Sequence, residues 1–111
     1  MDPKMTVFML INATPAWLRL SRAERNRITE DEMLPLLWEY GIEMRFYDSE
    51  AFSGRCSDIA VFETKQLNRY QFFMDALRDS SFFTEPWFTL VDIIPAIEDG
   101  YKQFEAMRNN G

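Results

Sequence analysis

The sequence predicts one α+β domain over residues 1–111, ordered strand, helix, strand, strand, helix, strand. Four short runs rich in strand formers, at residues 6–11, 42–48, 58–63 and 88–94, are separated by two segments of helical period. The two middle runs have only a turn-rich connection between them, the pattern of a hairpin with a long loop. Hydrophobic residues make up 47% of the 111, enough to build a single core at a length that suits one domain.

The first run (TVFMLI) is continuously apolar and is stopped by Asn12, Ala13, Thr14 and Pro15, as in a central strand. Thr14 followed by Pro15 is a helix entry: the hydroxyl caps, and proline sits where its missing N–H has no helical partner to lose. A short turn through Trp17 and Leu18 follows. Ser21 with Glu24 fits a capping box and starts the main helix. Ile28, Met33, Leu34, Leu37 and Trp38 trace an apolar stripe along it, and Gly41 supplies a left-handed stop. Pro35 cannot donate to Asp31, which predicts a kink.

The second run alternates cleanly, with Ile42, Met44 and Phe46 on one side and Glu43, Arg45 and Tyr47 on the other. Residues 49–57 connect it, turning near Ser53 and Gly54, to the third run (DIAVFE). Thr64 is placed to cap the second helix, with Glu63 in the cap region. Leu67, Tyr70, Phe73, Met74 and Leu77 of that helix recur at three, four and seven. Residues 79–86 break it, and Pro95 should end the last strand because it has no N–H to continue a ladder. In the tail, Ile97, Tyr101 and Phe104 share one face of a short helix, and the polarity rises through Arg108, Asn109, Asn110 and Gly111. No internal repeat, linker or low-complexity segment is present.

This order is that of the ferredoxin-like βαββαβ unit, an antiparallel sheet with two helices on one face. The other face needs a cover. The first strand is apolar on both sides (Val7, Met9 and Ile11 against Phe8 and Leu10), and so is the third (Ile59 and Val61 against Ala60 and Phe62). A second copy packed sheet to sheet about a two-fold axis is the expected solution, giving a homodimer. The alternative is that the tail folds back over its own sheet through Ile97, Tyr101 and Phe104.

Twelve Lys and Arg against eighteen Asp and Glu leave a net charge of −6, which argues against nucleic acid or an anionic membrane as partner. The basic residues Arg19, Arg22, Arg25 and Arg27 lead into Glu30, Asp31 and Glu32 and read as a solvated helix face. Cys56 is the sole cysteine, so an intrachain disulfide is impossible. With no signal-peptide pattern in the first five residues and no run of membrane-spanning length, the expected compartment is the cytoplasm.

Three stretches, TVFMLINATPAWLRLSRAER, RFYDSEAFSGRCSDIAVFET, and LRDSSFF followed by VDIIPAIEDGY, resemble the darcynin family over nearly the whole length. More distantly the layout is similar to the dimeric α+β barrel superfamily, which includes muconolactone isomerases, cofactor-independent monooxygenases and haem-binding members. The family has no established activity. The resemblance therefore implies fold and dimerisation and carries over no catalytic residue.

Chemistry is constrained most by the absence of histidine, which removes the commonest neutral-pH acid/base, the proximal ligand of most haem sites and the commonest zinc ligand. No cofactor and no metal are expected, and Ser-His-Asp or Cys-His nucleophiles are excluded. Cys56 beside Arg55 reads as a structural thiol rather than a reactive one. Arg45 and Tyr47 share a strand face, and Asp58 opens the neighbouring strand. The three would give an anion-binding donor pair beside a carboxylate base, or, more simply, Arg45 and Asp58 form an exposed cross-strand ion pair. Asp92 interrupts an apolar strand and must be paired, exposed at an edge, or raised in pKa and useful as a general acid or base. Trp17, Trp38, Trp87, Phe82, Phe83 and Phe88 would wall an aromatic pocket or pack as core and dimer contact, with Trp87, Phe82 and Phe83 the foremost ligand-binding candidates. Two functions fit: a dimeric small-molecule-binding or structural module, and a cofactor-free isomerase or monooxygenase acting on a small aromatic or carboxylate-bearing metabolite.

Overall fold

The computed structural model describes residues 4–110. What was read from residues 1–3 and from Gly111 lies outside them. The chain runs β1 (Met5–Ala13), α1 (Pro15–Arg19), α2 (Arg22–Ile28), a π-helical turn (Thr29–Met33), α3 (Leu34–Tyr40), β2 (Glu43–Asp48), β3 (Asp58–Thr64), α4 (Leu67–Asp79), α5 (Ser81–Thr84), β4 (Phe88–Ile97) and α6 (Gly100–Asn110). The strands form one antiparallel sheet in the order β2-β3-β1-β4, the ferredoxin-like arrangement.

The core lies on the helix side of the sheet. Val7, Met9 and Ile11 of β1, Ala60 and Phe62 of β3, Ile42 and Phe88 are buried against Met33, Phe73, Leu77 and Phe82. The Phe62 and Phe73 rings meet edge to face at 5.0 Å between centroids, and both are fully buried.

Local signals act where the sequence places them. Thr14 caps α1 by accepting the Trp17 N–H, Ser21 and Glu24 form the reciprocal capping box, and Gly41 ends α3 at φ 65°. The irregularity at Pro35 takes the form of the π-helical turn just before it, where the Leu34 N–H reaches back to the Thr29 carbonyl. That turn holds an extra residue and rotates the following face. Leu34 and Trp38, expected on the buried stripe, are therefore exposed, while Leu36, Leu37 and Tyr40 pack on the core.

Three further expectations are corrected. Thr64 ends β3 and accepts the Gln66 N–H, so α4 starts later, from a Gln66 cap, and Leu67 is exposed. Glu63 belongs to β3 rather than to a helix cap. β4 continues through Pro95 to Ile97, because it is an edge strand and a missing N–H is tolerated there. The tail does not fold over its own sheet: Tyr101, Phe104 and Met107 of α6 stay exposed.

Candidate functional site

A cavity of about 310 Å³ opens between the helix side of the sheet and the helices. Its floor is Met9 and Ile11 of β1, Met44 and Phe46 of β2, Asp58 and Ala60 of β3, and Phe88 of β4. Trp17 of α1, Thr29 and Met33 of the π-helical turn, Leu77 of α4, and Phe82 and Phe83 of α5 complete the wall. Each strand residue is there by parity, since only every second side chain faces the helices.

The aromatic wall is held as a cluster. The Trp17 ring lies 5.0 Å from Phe88 and 6.0 Å from both Phe82 and Trp87, centroid to centroid. Trp87 stands behind the wall rather than in it: its indole Nε1–H donates to Ser81 Oγ at 2.9 Å. Ser81 in turn donates its hydroxyl and its backbone N–H to the Glu32 carboxylate. This chain fixes α5, and with it Phe82 and Phe83, against the π-helical turn. Glu32 carried no sequence signal for this role, because it sits in an acidic run that reads as solvated. Trp38 lies elsewhere, almost fully exposed on α3.

Among the described residues, Asp58 is the single ionisable group lining the cavity. Burial among apolar side chains holds its carboxyl above the ordinary value, with Asp48 and Glu50 acting in the same direction and the Ser57 hydroxyl, donating at 2.7 Å, opposing them. Asp48 is its direct cross-strand partner in the β2–β3 register.

Arg45, Tyr47 and Asp58 do not converge. Arg45 and Tyr47 pair with Val61 and Ile59 across the ladder and so lie on the opposite sheet face. Arg45 forms an ion pair there, but its partner is Glu63, which Lys4 also approaches at 3.1 Å. The Lys4 hydrogen bond and the Arg45 charge hold Glu63 below its ordinary pKa. Asp92 lies on the edge strand, paired with Arg55 at 3.3 Å and accepting the Ile93 N–H. Cys56 is buried in the β2–β3 connection, its Sγ 3.5 Å from Ser49 Oγ. Of the aromatic candidates Trp87, Phe82 and Phe83, the last two line the cavity.

Among the described residues, no three His, Cys, Asp or Glu side chains cluster as a metal site, and no helix is long and apolar enough to cross a membrane. The donor set does not fit a haem, since the chain has no histidine and the described residues of the cavity wall offer thioethers, a hydroxyl and a carboxyl but no imidazole, thiolate or phenolate.

Comparison with known proteins gives a consistent picture. The family model of darcynin, a domain of unknown function, matches residues 1–109. The chain is 48% identical over 90 residues to Darcynin 1 of Acinetobacter baumannii, covering 80% of this chain and 100% of that protein. It is 51% identical over 75 residues to Darcynin of Chromobacterium violaceum, covering 67% and 95%. Among solved structures, chlorite dismutase of Candidatus Nitrospira defluvii in complex with imidazole aligns with a TM-score of 0.69 at 13% identity over 86% of this chain. A putative chlorite dismutase aligns at 0.70 with 17% identity, also over 86%. This chain spans 40% and 43% of those two structures, and at these identities the likeness is one of fold.

Proposed function

The chain belongs to the darcynin family, a domain of unknown function, and from that premise we propose that it is a small-molecule-binding module that works as a homodimer. The observation that carries the binding role is the cavity of about 310 Å³, walled by aromatic and thioether side chains with one carboxyl. Its size is at the low end for ligand sites, so the ligand is a molecule of one or two rings.

The homodimer is supported by the other sheet face. Phe8, Tyr47 and Ile94 are exposed there, beside the buried Leu10 and Val61. The Arg45–Glu63 and Arg55–Asp92 pairs carry both charge signs on that face, so a two-fold contact there need not oppose like charges. A catalytic role as isomerase or monooxygenase would rest on Asp58 alone, because among the described residues no second ionisable group lines the cavity. Binding is therefore the reading the geometry favours.

Indole, observed by saturation-transfer NMR, is a suitable probe. Wild-type protein should bind it, and Ala60→Leu, which adds bulk to the cavity floor, should weaken binding at least several-fold while the protein stays folded by circular dichroism. Undiminished indole binding in the filled variant would place the ligand elsewhere and overturn the reading.

A further inference from the structure

Building on the cavity as a ligand site, we propose that its ligand is a small aromatic amine bound as a cation, with the ring among the aromatic side chains and the ammonium against the Asp58 carboxylate. The walls include the rings of Trp17, Phe46, Phe82, Phe83 and Phe88, whose faces are electronegative and attract cations. Among the described residues, no lysine or arginine lines the cavity. An anionic ligand would have no counter-charge there, and a purely apolar one would leave the Asp58 carboxylate desolvated and unanswered.

The local charge points the same way. Asp58 faces Asp48 directly across the β2–β3 ladder, and among the described residues neither makes an ion pair. Facing carboxylates repel and so favour a shared cation. Three guanidinium groups of the surrounding elements are committed elsewhere: Arg25 donates to the Trp17 and Leu18 carbonyls, Arg55 pairs with Asp92, and Arg78 lies over the Phe83 ring at 5.6 Å. A net charge of −6 adds a field that draws cations and repels anions. Burial already disfavours the charged form of Asp58, and an ammonium placed on it would reverse that penalty.

Calorimetric titration at neutral pH with tryptamine, indole and indole-3-acetate tests this with one ring in three charge states. Tryptamine should bind about 10-fold or more tighter than indole, the usual worth of a charge-assisted hydrogen bond, and indole-3-acetate should bind weakest. Asp58→Asn should bring tryptamine down to the affinity of indole. Indole or indole-3-acetate binding as tightly as tryptamine would overturn the amine assignment and leave the cavity as a ligand site. Failure of all three probes to bind would overturn both. The wild-type series decides the matter even if the Asp58 variant does not fold.

Discussion

Asp58 shows how a single side chain depends on register as well as on strand parity. Alternation within β2 assigns Met44 and Phe46 to one side and Arg45 and Tyr47 to the other, and this is legible in the sequence. Which side Asp58 joins is set by the pairing between strands, and a slip of one residue would exchange the faces. The observed register, Asp48 opposite Asp58, puts Asp58 with Phe46 and separates it from Arg45 and Tyr47. Capping residues are easier to read, because Ser21 and Glu24 act on each other over three positions and need no tertiary partner. The raised Asp58 carboxyl makes a prediction about stability. A group with a folded-state pKa above its unfolded value binds extra protons in the native state, so its contribution is present at low pH and is lost as pH rises through the folded value. Urea denaturation of wild type and Asp58→Asn, followed upward from about pH 4, should show stability falling more in wild type than in the variant. Parallel profiles would contradict a perturbed Asp58.

The helical arm between β1 and β2 reads from sequence as one kinked helix, and its start and stop lie where the capping box and Gly41 place them. Its middle is less legible. A period of 3.6 carried unbroken through residues 29–33 points Leu34 and Trp38 inward, whereas the extra residue of the π-helical turn points them to solvent. The same turn brings Thr29 and Met33 to the cavity and Glu32 to Ser81, so one backbone irregularity both misleads the pattern and helps to build the site. The helix stop is a separate, testable element. Gly41 has φ 65° and open space where a Cβ would stand, so Gly41→Ala meets no clash and bears only the left-handed backbone penalty. It should lose about 1–2 kcal/mol of unfolding free energy in urea titrations. No measurable loss would mean that α3 can end without a left-handed residue.

At the scale of the molecule, the shape fits the proposed second copy. The Cα radius of gyration is 16.2 Å and the long axis 57 Å, against about 13 Å expected for the radius of a compact chain of near this length. Tyr101, Phe104 and Met107 of α6 are exposed, and the sheet leaves Phe8 and Ile94 uncovered. The need for a cover is legible in strands apolar on both sides, and the ferredoxin-like order follows from the succession of elements. Where the tail goes is not legible, because its apolar stripe suits its own sheet and a second copy's equally well. On the proposed reading the two sheet faces serve two partners, a ligand on the helix side and a second copy on the other. A native mass spectrum at micromolar protein with added indole measures both assignments together. The predicted species is a dimer of 13.2 kDa chains carrying up to one indole per chain. A dimer without indole would contradict the cavity as a ligand site, a monomer with indole would contradict the sheet-to-sheet assembly, and a bare monomer would contradict both.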